Sequence, residues 1–333
     1  MKKILDVKNL RINFNTYAGT VYAVRDVSFH LNSGETLAIV GESGCGKTVT
    51  SKGILKLLPK YITDIPSGTI EFEGKNLVQA SEREMNSIRG GKISMIFQDP
   101  MTSLNPTMKI GEQIMESLIK HKKISKGEAR KEAISMLKMV NIPEAEKRMD
   151  SYAHEFSGGM RQRAMIAIAL ACNPKILIAD EPTTALDVTI QAQIMDLMKN
   201  LQRDMNTGII LVTHDLGVVA GVADRIQVMY AGEIVETGDT KTIFKNPRHP
   251  YTRALMKSIP SIDSENKSEL YAIKGTPPDL IAPPKGCGFA YRCDYSMKIC
   301  MEVPPESFSV EEGHICKCWL EHEKCKGGSP WKS

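Results

Sequence analysis

The sequence contains no apolar run long enough to cross a bilayer. Its longest, Ala164 to Cys172, falls far short of the ~20 residues that a spanning helix needs. No secretory leader is expected either. Met1-Lys2-Lys3-Ile4-Leu5-Asp6 reaches an acid after one short apolar pair. Net charge over 333 residues is only +4, and no long basic block occurs, so nothing supports nucleic-acid binding. Cysteine is scarce over most of the chain: before Cys287 only Cys45 and Cys172 occur. These absences predict a chain that does not enter the membrane and works in the cytoplasm, where thiols stay reduced. At 42% hydrophobic and 25% charged residues the chain is otherwise an ordinary globular protein. Its length allows one large domain or two to three smaller ones.

What the sequence does contain is Gly41-Glu42-Ser43-Gly44-Cys45-Gly46-Lys47-Thr48, the G-x-x-x-x-G-K-[ST] phosphate-binding loop. The apolar segment Thr36–Val40 precedes it and reads as a buried strand. Val49 to Leu58 reads as a helix ended by Pro59. Glycines let such a loop curl so that its N–H groups converge on phosphate oxygens, and the helix start adds positive potential there. Ser43, Gly44, Cys45, Gly46, Lys47, Thr48 and Val49 are therefore the candidate phosphate-binding residues. Lys47 would reach the β- and γ-phosphates, and the Thr48 hydroxyl would ligate Mg²⁺.

Three further predicted strands end in polar residues. Ile176–Asp180 ends in an acid fit to organise Mg²⁺, and Glu181 follows as a candidate general base for the attacking water. Lys92 to Phe97 ends at Gln98, which could contact Mg²⁺ or that water. Gly208 to Thr213 ends at His214, which could hydrogen-bond the γ-phosphate. Parallel strands would bring all of these to one edge of a sheet. Ser157-Gly158-Gly159 opens another helix, with Ser157 as N-cap, and makes a second phosphate-binding geometry. One nucleotide does not need two such sites. This predicts a dimer in which each nucleotide lies between two protomers.

Residues 5–40 read as strands, and within them Leu5–Val7, Leu10–Phe14 and Val24–Leu31 alternate apolar and polar, which predicts an antiparallel sheet. From Ile110 the period changes to helical. Strands alternating with helices follow, predicting a mostly parallel sheet with helices on both faces. Residues 263–285 are polar and Pro-rich and read as a linker.

With these motifs in order, the chain resembles the ATP-binding cassette ATPases of ABC transporters over about residues 5–260. Phe156-Ser157-Gly158-Gly159-Met160 falls on the family's signature, and Ala185-Leu186-Asp187 on the loop that crosses its dimer. The resemblance implies an α/β P-loop NTPase fold: a RecA-like core with an antiparallel β subdomain, a helical insertion and a small Cys-rich C-terminal extension. It places the nucleotide-binding core in residues 1–100 and 161–240, the helical subdomain in 101–160 and the extension in 241–333. It also implies ATP hydrolysis with Mg²⁺ held by Thr48, Gln98 and Asp180, and an aromatic residue, Phe14 or Tyr17, stacked on adenine.

The narrower resemblance is to the ATPase subunits of dipeptide and oligopeptide importers. It rests on Val40–Gly44, on Phe97-Gln98-Asp99-Pro100-Met101-Thr102-Ser103-Leu104-Asn105-Pro106 and on His249-Pro250-Tyr251-Thr252. It implies as partners a second ATPase chain, usually a different protein, two transmembrane permease chains and an extracytoplasmic binding protein. It implies a peripheral place on the cytoplasmic face of the membrane. Importers of nickel or other solutes share the architecture. A soluble ABC ATPase acting on DNA or ribosomes is the alternative of another class, and the insertions or paired cassettes usual there are not evident.

Six of the eight cysteines crowd into residues 286–325, which in a reducing compartment favours a metal or cluster site over disulfides. Cys287, Cys293, Cys300 and Cys318 match the four-cysteine tail of the peptide-importer subfamily, which implies a [4Fe–4S] cluster. The spacings are wider than the Cys-x₂-Cys pairs of most zinc sites, leaving zinc as the alternative. Cys316 or Cys325 could replace Cys318 as fourth ligand. Far in sequence from the ATP motifs, this tail is expected to play a structural role, pinning the linker.

Overall fold

A computed structural model describes residues 2–183, 187–258 and 272–325. Ala185 and Leu186 of the expected dimer-crossing segment lie outside the described residues, as does the first part of the linker. The described residues contain twelve strands: β1 (Lys3–Thr16), β2 (Gly19–Asn32), β3 (Thr36–Val40), β4 (Thr63–Phe72), β5 (Lys75–Asn76), β6 (Ile93–Ile96), β7 (Ile176–Asp180), β8 (Gly208–Thr213), β9 (Arg225–Tyr230), β10 (Glu233–Asp239), β11 (Phe308–Glu311) and β12 (His314–Cys316). The chain forms two compact units. One comprises residues 1–5, 31–36 and 72–212, and the other residues 6–30, 37–71 and 213–333.

In the first unit, β6, β7 and β8 are neighbours and run parallel. Ile93 pairs with Ile176, and Ile176 in turn with Gly208. Their residues are almost all apolar and buried, as parallel strands covered on both faces must be. A cradle of helices packs beside them: Ile110–Lys122, Lys126–Met139 and Gly158–Leu170 contact one another. The first two bury one stripe each, Ile110, Ile114 and Leu118 or Ala129, Ala133 and Leu137, while the third is buried nearly all round from Ala164 to Leu170. Ser125 starts the second of them with a reciprocal capping box to Glu128.

In the second unit, β3 and β9 pair parallel, with Leu37 opposite Arg225. β9 continues into an antiparallel series, β9-β10-β12-β11. The expected parallel sheet is thus mixed here, because β10 follows β9 through the two-residue turn Ala231-Gly232, too short for a parallel crossover. The tail supplies β11 and β12, strands that the cysteine spacing had obscured.

A separate sheet has β1 between β2 and β4. Its alternation changes phase once: Val7 is buried, then Leu10 and Ile12. Asn9 adopts a left-handed φ of 48° there, and its side-chain amide donates to Asp26 at 2.9 Å. One extra residue in the ladder resets which face is apolar.

Candidate functional site: a phosphate loop, an acidic strand end and a thiol cavity

The loop after β3 is shaped by close backbone approach. A Cβ on Gly41 would meet the Met229 carbonyl oxygen at 2.2 Å. One on Gly46, at φ +105°, would meet that of Ala23 at 2.5 Å. Only glycine fits either place. The helix Lys47–Ile54 then begins with no side-chain cap, leaving its first N–H groups for the loop's concave side. Lys47 is buried, and its Nζ donates to the carbonyls of Gly41 at 2.8 Å and Glu42 at 2.9 Å. Thr48, the next residue, is half-buried. This helix starts two residues before the expected Val49 and stops well short of Pro59. Lys56 turns left-handed (φ 51°), and Leu57 N–H bonds back to the Lys52 carbonyl. That Schellman closure, not the proline, ends it.

In the first unit, buried Asp180 ends β7 and Glu181 follows with a left-handed φ of 47°. Its N–H donates to the Val212 carbonyl at 2.8 Å, which fixes the turn. A non-glycine residue held in this region stores strain, a common feature of reactive centres. Gln98, at the end of β6, donates from Nε2 to Glu181 Oε2 at 2.8 Å. The structure thus brings two of the predicted residues into direct contact.

Ser157 caps the helix Gly158–Leu170 as expected, accepting from Met160 N–H at 3.3 Å. A Cβ on Gly158 would meet nothing within 4 Å, so this helix start is open. Gly159 instead lies against Ile190. Buried Gln162, a residue the sequence reading passed over, donates to the Pro182 carbonyl just after Glu181.

In the second unit, His214 is exposed beyond Thr213, whose hydroxyl accepts from Asp215 N–H at 3.0 Å. Phe14 is half-buried on β1, and Tyr17 is fully exposed in the β1–β2 turn.

Cys287, Cys293, Cys300 and Cys318 line one small cavity of ≈ 20 Å³ together with His249, Pro250 and Phe289. Cys316 and Cys325 do not line it. Burial pushes up the thiols of Cys287, to about 12, and Cys293, to about 11, with Cys318 higher still. Such thiols are inert as nucleophiles. His249 is fully buried. Its Nδ1 accepts from Tyr251 N–H at 3.1 Å, while Nε2 has no hydrogen-bond partner. Nδ1 acting as acceptor makes Nε2 the protonated nitrogen.

Though far in sequence from the ATP motifs, this tail touches one of them. Arg292, beside Cys293, forms a two-pronged ion pair with Glu42 of the phosphate loop, at 2.5 and 3.0 Å. Glu42 N–H donates to the Tyr251 hydroxyl at 2.7 Å. Neither contact leaves a local pattern in the sequence.

Deeper in the same unit, buried Glu236 accepts from His314 Nε2 at 2.8 Å and from the N–H groups of Arg248 and His249 at 2.6 and 2.9 Å. Arg248 also forks onto Glu321 at 2.8 and 2.9 Å. This polar hub fastens the extension to β10.

Residues 24–184 match the ABC transporter family, and residues 235–300 match the oligopeptide/dipeptide transporter C-terminal region. The chain is 61% identical to the oligopeptide transport ATP-binding protein OppD of Bacillus subtilis, over 96% of this chain and 89% of that protein. The chain belongs to the ABC transporter ATP-binding family. This cassette is 56% identical to the dipeptide transport ATP-binding protein DppD of the same organism, over 98% and 97% of the two chains. Among solved structures it is similar to the ATP-binding cassette MJ0796, a dimer in a post-hydrolysis state bound to ADP and Pi. That likeness has TM-score 0.63 and 31% identity, covering 71% of this cassette and 98% of that one. The fold is the ABC P-loop ATPase fold, and the activity is ATP hydrolysis coupled to transport. Among the described residues, no helix is long and apolar enough to cross a membrane.

Proposed function

We propose that this cassette energises the import of dipeptides or oligopeptides. The observation that carries this reading is likeness along nearly the whole chain, tail included, to proteins named for oligopeptide and dipeptide transport. It would work with a second, different ATPase chain, two permease chains and an extracytoplasmic peptide-binding protein, peripherally on the cytoplasmic face of the membrane. Residues 101–160 would pass the motion of the closing dimer to the permeases.

In this reading Lys47 and the loop N–H groups hold the β- and γ-phosphates, and Phe14 or Tyr17 stacks on adenine. The Thr48 hydroxyl, Asp180 carboxylate and Gln98 amide oxygen are the hard oxygen donors that Mg²⁺ prefers, and the ion would neutralise developing phosphate charge. Glu181 accepts the proton of the attacking water, oriented by its bond from Gln98. His214 donates to the γ-phosphate. Ser157, Gly158 and Gly159 receive the γ-phosphate of the nucleotide on the opposite protomer. ATP would therefore close the dimer, and hydrolysis would reopen it.

The four thiols that share this cavity suit a [4Fe–4S] cluster in donor number and donor type, and the buried Nε2–H of His249 supplies a hydrogen-bond donor at its wall. The cavity must widen on loading. Among the described residues no three His, Cys, Asp or Glu side chains are placed to hold a metal ion, so the thiols would have to move to take either a cluster or zinc. Such a cluster would cross-link the extension.

Reconstitution in vesicles with the permeases, the partner ATPase and the binding protein tests the function. ATP-dependent uptake of labelled peptide, and not of nickel, is expected. ATP turnover that a peptide-loaded binding protein fails to raise would overturn the cargo assignment.

A further inference from the structure

We propose that Arg292 and Tyr251, both outside the recognised ATP motifs, are positioning residues for nucleotide binding: they clamp the phosphate loop at Glu42. The inference rests on reading Gly41–Thr48 as the phosphate cradle.

Glu42 is held at three points. Arg292 Nη1 and Nη2 grip its two carboxylate oxygens, Tyr251 accepts its N–H, and its carbonyl accepts from Lys47 Nζ. The clamp is itself rigidly built. The Arg292 side chain is only 6% exposed. Its Nε donates to the Lys274 carbonyl at 2.8 Å, and its Nη1 donates to the Tyr230 hydroxyl at 3.1 Å. The guanidinium carbon lies 5.8 Å from the Tyr230 ring centre and 5.9 Å from that of Phe289. Tyr251 is fully buried, with its ring 4.5 Å from Tyr230 and 5.3 Å from Phe289. These aromatic contacts leave the hydroxyl one direction in which to point.

Two physical effects make this arrangement matter for binding. A planar guanidinium matched to a carboxylate fixes orientation as well as distance, so the loop is held in shape before nucleotide arrives. A preorganised loop loses less freedom on binding. The second effect is charge. Glu42 is an acid within a loop that must receive a polyanion, and unpaired it would repel the phosphates. Arg292 cancels that charge. Both anchors come from segments that also wall the thiol cavity, His249-Pro250 and Cys293.

The test is titration of the full-length chain with Mg²⁺ and a fluorescent methylanthraniloyl-ATP, together with the ATPase kinetics of the assembled transporter. Arg292→Ala should raise Kd and KM about tenfold while kcat stays within about twofold, the signature of lost ground-state binding. Arg292→Lys keeps the charge but not the fork, and Tyr251→Phe loses the acceptor; each should raise Kd about threefold. Glu42→Gln removes the acid that needs cancelling, so added to Arg292→Ala it should recover most of the loss. The clamp is overturned if Arg292→Ala binds within about twofold of wild type, or if Glu42→Gln rescues nothing. Should Arg292→Ala fail to fold, Arg292→Lys with and without Glu42→Gln makes the same comparison. Lys47→Ala separates the two levels. If it abolishes binding while the Arg292 variants bind normally, only the clamp fails. If it binds normally, the reading of the loop fails.

Discussion

Gln98 donates its side-chain amide to the carboxylate of Glu181 at 2.8 Å, joining the ends of two adjacent parallel strands. The contact spans 83 positions in sequence and exists because parallel pairing of β6 with β7 brings both strand ends to one edge. Glu181→Gln should keep the turn and the pairing but lose the proton acceptor. Steady-state ATPase activity of the assembled transporter should fall about a hundredfold or more, with nucleotide affinity changed only a few-fold. Turnover at the wild-type rate would remove Glu181 from its assigned role.

Gln98→Ala removes one hydrogen bond that orients Glu181 and one oxygen donor proposed for Mg²⁺. Its kcat should drop about tenfold while KM for ATP rises no more than a few-fold, because the loss of positioning outweighs the loss of one metal donor. A rise in KM without loss of kcat would place Gln98 in binding instead.

Gly46→Ala forces a Cβ into the Ala23 carbonyl at a backbone angle that side chains rarely adopt. The cost should be about 2–3 kcal/mol, seen as a lower melting temperature and lost nucleotide binding. Unchanged melting would mean that the loop adjusts more freely than its backbone contacts suggest.

The His314–Glu236 pair predicts a pH dependence. Burial alone would lower His314, but hydrogen bonding and charge from Glu236 and Glu311 outweigh it and raise its pKa. Burial alone would raise Glu236, but His314 and the N–H groups of Arg248 and His249 hold it below the usual range. A raised histidine stabilises fully below its unfolded pKa of about 6.5 and loses the effect as pH climbs through its folded value. A depressed carboxylate stabilises above about 4.5 and loses the effect as pH falls through its folded value. The pair should therefore secure the extension best between those limits. Arg248, which donates to Glu236 through its N–H, is itself paired with Glu321. Wild type should melt above His314→Gln by an amount equivalent to about 1–3 kcal/mol near pH 6, and the gap should shrink as pH rises toward 9. A constant gap would show that His314 acts only by packing.

Serine at Cys287, Cys293, Cys300 or Cys318 should cut iron and acid-labile sulfide in anaerobically purified protein to a small fraction of wild type. Serine at Cys325 or Cys316 should leave both unchanged. Loss of iron from the Cys325 variant would mean that the ligands differ from the thiols that share the cavity.

Much of the fold is written locally. The apolar runs at Ile176–Asp180, Gly208–Thr213 and Arg225–Tyr230 became β7, β8 and β9, since runs of five or six residues are too short for buried helices. Ser157, a strong cap before a helical run, capped its helix. The phosphate loop was legible because its glycines mark places where backbone crowds backbone. What the sequence did not disclose depends on long-range pairing. Arg292 and Glu42 are 250 positions apart, and neither sits in a pattern that names the other. β11 and β12 are only four and three residues long, and their burial comes from an edge supplied by β10, not from a pattern of their own. The end of the loop helix was misplaced because Pro59 was the visible breaker, while the real one was Lys56 in a conformation that its side chain does not advertise.

β12 lies along β10, with Glu236 opposite Cys316 and Thr237 opposite Ile315. Without it, the row of main-chain donors and acceptors at Val235–Thr237 would stand open at the rim of the sheet. A shortened chain ending near residue 300 would carry that row exposed. Self-association should then be its characteristic fault: such a fragment would gather into oligomers through strand-to-strand contacts, and concentration rather than heat would drive it out of solution.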